Sequence, residues 1–200
     1  MEPVRRIVGR ALPLDRADVD TDQIIPSHWL KRLERTGYGP GLFEAWRKDP
    51  AFVLNDPRYR GAEILLAGPN FGGGSSREHA VWALLDAGFR AVIAPRLADI
   101  FRNNALRNGL VPVEIDADSV AKLVDAVRRD PTTRIAIDVE RRTVDAHGVR
   151  ATFALDDFSR TRLLEGLDDI AVTLRRETDI AAYEARRPAW MPRVQAPERS

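Results

Sequence analysis

The 200-residue sequence contains no cysteine. That absence excludes disulfides, thiolate zinc sites, a cysteine nucleophile and an iron–sulfur cluster held by the chain itself. A surplus of either charge is also missing: 31 Lys and Arg against 30 Asp and Glu leave a formal net charge of +1. No global field therefore favours nucleic acid or an anionic membrane surface. Long apolar runs are absent too, since no stretch approaches the roughly 18 apolar residues of a membrane span, and the opening MEPVRRIVGRALPL has no apolar run of signal length. These absences predict a cytoplasmic protein without nucleic-acid or membrane partners. Its length fits a single domain over residues 1–200 with a sizeable core.

What is present is the alternation of an α/β fold. Apolar runs at 62–67 (AEILLA), 90–95 (RAVIAP) and 110–115 (LVPVEI) read as strands, and VRRIVGRALPL (4–14) as another. Between the first three lie two helix patterns. In REHAVWALLDAG, Ala80, Leu84 and Ala87 share a face with Val81 and Leu85 beside them, and Gly88 marks the stop. In LADIFRNNALRNG, Leu97, Ile100, Phe101 and Leu106 form the buried stripe and Gly109 ends it. Pro112 predicts that the third strand lies at an edge or carries a bulge. A helix over 118–130 turns Val120, Leu123, Val124 and Val127 inward, capped by Asp118 or Ser119. TRIAIDV and VRATFAL read as hairpin strands around DAHG. A helical segment follows over about 157–187, broken near Gly166, and 188–200 reads as a flexible tail. Upstream, SHWLKRLER (27–35) predicts a short helix and TGYGPGLFEAW a glycine-rich loop entering another.

The chemistry concentrates in NFGGGSSREHA, residues 70–80. A flexible linker would have the same composition, but this loop is short and joins an apolar strand to an amphipathic helix. Such a loop lets backbone approach a ligand and aims the open N–H groups of a helix start at an anion. Nucleotide-phosphate motifs fail on residues: Arg77 follows Ser76 where a Walker loop needs Lys then Ser or Thr, and Arg77 stands where a dinucleotide fingerprint needs its third glycine. A carboxylate or similar small anion remains, facing Ser75, Ser76, Arg77, Glu78 and His79. A serine near helix amides and an arginine can act as a base, although a Ser–Arg pair is more often plain capping.

The run NFGGGSSREHAVWALLDAGFRAVIAPRLADIFRNNALRNGLVPV, with DVDTDQIIPSHWLKR upstream and LLEGLDDIAVTL downstream, resembles the small subunits of the 3-isopropylmalate dehydratase family, aconitase-type isomerases. The resemblance implies a three-layered β/β/α swivelling domain with C-terminal helices. It also implies a partner large subunit, whose three cysteines hold a [4Fe–4S] cluster, and a small hydroxy-dicarboxylate substrate. On that likeness this chain binds no metal or cofactor itself. Ser75 corresponds to the base, Ser76 to a group stabilising the substrate carboxylate, and Arg77 to the group binding it. Asp22 matches a position lining the site, while Arg32 and Arg35 fall in the substrate-reading region. Gly72, Gly73, Gly74, Glu78 and His79 support the loop, and many members carry a cysteine where Gly73 stands.

The bland readings are definite as well. D-T-D in 20–22 also fits a capped turn before the helix at Ser27, Arg32 and Arg35 also fit solvated side chains, and His28 and His147 have no metal-ligand spacing. Two rival functions stand beside the leucine-pathway isomerase. One is a related hydro-lyase subunit acting on homoaconitate, citraconate or a dimethylmalate-type acid; the other is a non-catalytic anion-binding module that kept the fold.

Overall fold

Strand β1 (Arg6–Pro13) is the middle strand of a seven-stranded sheet in a computed structural model that describes residues 1–188 and 190–192. On one side it pairs in parallel with β2 (Ile64–Leu66), followed by β3 (Ala91–Ala94) and β4 (Val111–Glu114). On the other it pairs antiparallel with β5 (Arg134–Asp138), then β6 (Thr143–Ala146) and β7 (Val149–Thr152). The expected α/β class is thus present as a parallel and an antiparallel β portion sharing one strand, with helices packed on them. β4 closes the parallel edge, so the missing N–H of Pro112 leaves no ladder bond unmade there.

Burial follows from this layering. Every residue of β2 and β3 is buried, as expected where helices cover both faces of parallel strands. β5 alternates, with Ile135 and Ile137 inward and Arg134 exposed. Helix α1 is a single turn (Thr21–Ile24), α2 spans Glu78–Asp86, α3 spans Asp99–Asn108 and α4 spans Ala117–Arg129. α4 turns Val120, Leu123, Val124 and Val127 inward as the spacing predicts, and it packs against both β1 and β7. Its cap is Asp116, two residues before the predicted position, accepting from the Ser119 N–H at 2.8 Å. Ile100 also differs: it is about half exposed, because the helix starts at Asp99 and its inward face is carried by Phe101, Asn104 and Ala105.

Two further differences are local. The hairpin joins β6 to β7, with a two-residue turn of His147 and Gly148 at φ 45° and 78°; DAHG is half strand, and β5 pairs with β1 and β6. The segment 27–35 forms only a 3₁₀ turn, Ser27–Lys31, and then extends. α5 (Asp157–Glu165) ends on left-handed Gly166 as predicted. Residues Met1–Asp168 form one compact unit and a second begins at Asp169. The second holds α6 (Asp169–Leu174) and α7 (Glu177–Ala185), which bury no side chain and leave Ile170, Leu174 and Tyr183 exposed. The flexible tail expected over 188–200 lies largely outside the described residues.

One glycine ties the core to the loop that follows β2. Gly72 has φ +82°, and a Cβ there would lie within 2.7 Å of three atoms of the Phe101 side chain. Gly73, one residue on, lies outside the left-handed region, and its Cβ would meet nothing nearer than 3.8 Å. Position 73 therefore has room for a Cβ. We predict that Gly72→Ala destabilises the protein by roughly 2 kcal/mol or more, from strain plus overpacking. Gly73→Ala should stay within about 1 kcal/mol of the parent. Urea denaturation of the two variants checks both, and equal midpoints would refute the distinction.

Candidate active site at the glycine loop

The parallel strands β1, β2 and β3 end side by side, and the segments that leave them meet. In open α/β sheets, ligands bind at the carboxyl ends of parallel strands. The Gly72 N–H donates to the Val19 carbonyl at 2.7 Å, and the Thr21 N–H donates to the Gly73 carbonyl at 2.9 Å, around a parallel bridge between Asp20 and Gly73. On the opposite side Phe71 bridges to Leu97, and the Ala98 N–H donates to the Phe71 carbonyl at 2.9 Å. Asp18 and Asn70 both sit at positive φ and are joined by a 2.9 Å bond from Asn70 Nδ2 to Asp18 Oδ1. Short polar side chains of this kind tolerate that backbone region best.

On this frame the aspartates divide their work. Asp20 is the cap of α1, accepting from the Gln23 N–H at 2.7 Å while Gln23 Oε1 accepts from the Asp20 N–H at 2.9 Å. The capped-turn reading of D-T-D therefore holds for Asp20. Asp22 instead forms an ion pair with Arg77. The Arg77 side chain is 14 % exposed and Asp22 59 % exposed, so a largely desolvated guanidinium is held by an anion from the neighbouring segment.

The structure also decides the capping question. Arg77 is the extended N-cap of α2, and no side chain caps that helix. Ser75 and Ser76 are exposed, and neither hydroxyl makes a hydrogen bond among the described residues. Two serine hydroxyls, the first-turn amides of α2 and the Arg77–Asp22 pair thus lie on adjoining positions of one loop, able to meet an anion. They lie on an open surface: the groove of about 600 Å³ lined by Gly39, Arg47, Asp56, Arg60 and Asp86 contains none of them.

Glu78 and His79 face away from direct chemistry. Glu78 Oε1 accepts from Asn108 Nδ2 at 2.7 Å, and Asn108 Oδ1 accepts from Trp82 Nε1 at 2.9 Å, tying the first turn of α2 to the end of α3. His79 packs against Tyr38 and Trp82, with ring centroids 5.3 and 4.7 Å away. Arg32 lies over Trp29 and Tyr38 and donates to the Gly37 carbonyl at 2.8 Å, and Arg35 lies over Trp82 at 5.9 Å. Both arginines therefore belong to an aromatic cluster built on α2, whereas Asp22 and Arg77 are in direct contact. Sequence reasoning passed over Asn108, for which no pattern existed. It named Thr21 only as a neighbour, because the carbonyls its N–H and hydroxyl reach are more than 50 residues away.

Known proteins share the sequence and fold of this chain. A model of the aconitase C-terminal domain matches residues 1–118, and a model of the C-terminal domain of the 3-isopropylmalate dehydratase small subunit matches residues 169–196. A protein of Parafrankia sp. named 3-isopropylmalate dehydratase small subunit is 64 % identical over 96 % of this chain and 98 % of its own length. Another from Rubrobacter xylanophilus is 59 % identical over 97 % of this chain and its entire length. The chain belongs to the 3-isopropylmalate dehydratase small subunit family. A crystal structure of 3-isopropylmalate dehydratase from Methanocaldococcus jannaschii shares the fold at a TM-score of 0.66 and 26 % identity, covering 88 % of this chain and 98 % of that one. The second family match begins at Asp169, where the second compact unit also begins.

Burial lowers the His79 pKa below its ordinary value, which Glu78 opposes and Arg77 assists. The folded chain then binds fewer protons at His79 than the unfolded chain, so stability rises with pH. That contribution is complete above the ordinary histidine range, about 6.5, and is lost as pH falls through the lowered folded value. Urea midpoints of the parent should therefore fall more between about pH 7.5 and about pH 5 than those of His79→Phe. Identical pH slopes would show that His79 is not desolvated in the folded state.

Proposed function

We propose that this chain completes the active site of a 3-isopropylmalate dehydratase, interconverting 2-isopropylmalate and 3-isopropylmalate through 2-isopropylmaleate. The observation that carries the reading is the contiguous set of exposed Ser75, exposed Ser76 and Asp22-paired Arg77 at the uncapped start of α2. The names of the relatives supply the substrate.

Removing a proton from a carbon beside a carboxylate is hard, because negative charge spreads onto that carboxylate as the C–H bond breaks. Donors already in place lower this barrier. Arg77 offers two parallel N–H donors to the carboxylate, the α2 amides and the Ser76 hydroxyl offer more, and Asp22 keeps the guanidinium from swinging away. Ser75, as the alkoxide stabilised by the same donors, takes the proton from C3. The C–H electron pair becomes the double bond as the hydroxyl leaves C2. Readdition of water with the opposite regiochemistry, and return of the proton from Ser75, gives the isomer without net redox change.

Departure of the hydroxyl calls for a Lewis acid. This chain has no cysteine, and among the described residues no three His, Asp or Glu side chains gather to hold a metal. Its residues do not fit an iron–sulfur cluster, so that group belongs to a partner large subunit, the role that the name "small subunit" of the relatives implies. The exposure of the two serines supports the same division, since proton abstraction from carbon needs water excluded.

Anaerobic mixing with the cluster-bearing large subunit, following loss of 2-isopropylmaleate absorbance with citraconate as comparison, tests the reading. Hydration is expected only in the mixture and faster for 2-isopropylmaleate. Faster citraconate turnover would favour the related hydro-lyase, and none at all the anion-binding module. In the same assay Ser75→Ala should lower kcat by roughly a hundredfold to ten-thousandfold while subunit association persists. Arg77→Lys should raise KM about tenfold or more, because an ammonium cannot reproduce a planar two-donor grip. Unchanged kinetics in either variant would remove that residue from its role.

A further inference from the structure

Thr21 is one of only two polar side chains buried among the described residues, 2 % exposed. It holds the glycine loop at two points: its N–H donates to the Gly73 carbonyl at 2.9 Å and its Oγ1 donates to the Ser75 carbonyl at 3.0 Å. The second bond fixes a peptide plane. No cis peptide occurs among the described residues, so the Ser75 carbonyl and the Ser76 N–H point in opposite directions. With the carbonyl anchored inward on Thr21, the Ser76 N–H is aimed away from Thr21, on the exposed stretch of Ser75 and Ser76.

We infer that Thr21 is the positioning residue for proton transfer at Ser75: its hydroxyl sets the Ser75–Ser76 peptide plane, and with it the direction of the Ser75 side chain and of the Ser76 N–H toward the substrate carboxylate. The inference rests on the reading of Ser75 as base. Thr21 is too deeply buried to touch substrate, so it acts through Ser75 alone. Among the described residues no other hydrogen bond reaches this plane: Gly73 and Gly74 precede it, Gly74 sits at φ +84°, and the loop has no regular structure until Glu78. A base displaced by a fraction of an ångström loses much of its rate. The nearest alternative is a purely structural clamp, in which the hydroxyl satisfies a carbonyl and has no bearing on the reaction.

Thr21→Val keeps the branched shape and removes the donor, and Thr21→Ser keeps the donor. Both are assayed in the complete complex with the large subunit, with kcat expressed per assembled complex from a subunit titration, using 2-isopropylmalate with and without deuterium at C3. Thr21→Val should lose at least roughly tenfold in kcat, with the isotope effect equal to or larger than the parent's. Thr21→Ser should stay within about threefold of the parent. If the valine variant does not fold, Thr21→Ala, which leaves room for water at the Ser75 carbonyl, takes its place with the same expectation. The inference is overturned by a parent-like rate per complex, by a fall in rate with a diminished isotope effect, or by an equal loss in Thr21→Ser. Ser75→Ala is run alongside. If it is inactive while Thr21→Val is parent-like, the inference alone fails; if it turns over normally, the base assignment itself is wrong.

Discussion

Everything at the site depends on the register between two segments, residues 18–22 after β1 and residues 70–75 after β2. A single parallel bridge, Asp20 to Gly73, sets it, with one hydrogen bond from Gly72 to Val19 on one flank and the Thr21 bonds to Gly73 and Ser75 on the other. A slip of one residue would break both Thr21 bonds to the loop and part Asp22 from Arg77. The loop cannot relax that register from its own side. Gly72 is pressed against Phe101, whose ring also packs edge-on against Phe71 at 5.2 Å, and both belong to the main core. Core packing thus reaches the serines in three residues.

The same register governs the electrostatics. An arginine that is 14 % exposed would be costly to desolvate alone, and Asp22 offsets that cost before any ligand arrives. The carboxylate also reduces the net pull on an incoming anion, so Asp22 trades affinity for direction: it fixes where the fork of Arg77 points. In the proposed reaction Arg77 would therefore recognise a planar carboxylate by shape more than by charge. The chain's formal charge of +1 agrees, since no wider field gathers anions toward the loop.

Much of this was legible in the residues. Strand and helix periodicity placed β2, α2, β3, α3, β4 and α4, because buried faces of regular elements repeat in sequence. Pro112 marked an edge strand, and the glycine loop marked the start of α2. What escaped depends on partners distant in sequence. The carbonyl Thr21 binds is 54 residues away, and Asn108 meets Glu78 across 30. Ile100 carried a helical stripe on paper, yet the true start of α3 at Asp99 turns it toward solvent. β6 was hidden because TVDA has too few apolar residues to read as a strand, and only pairing with β5 and β7 makes it one. Arg32 and Arg35 could be neither placed nor dismissed until Tyr38 and Trp82 were seen beneath them.

The loop presents its chemistry outward, and that orientation carries a last consequence. A base for a carbon acid gains its strength where water is scarce, yet Ser75 and Ser76 are exposed in this chain. Enclosing them internally would have required burying the uncapped start of α2 and its unpaired amides, which costs more than the loop's few contacts supply. Leaving the amides, the hydroxyls and the guanidinium at a surface keeps them solvated until substrate and a second protein surface arrive together. In the proposed reaction water would be displaced from all of them in one event, the substrate carboxylate taking its place. If the site is completed by a partner as proposed, its openness in this chain is a condition of the chain's stability on its own.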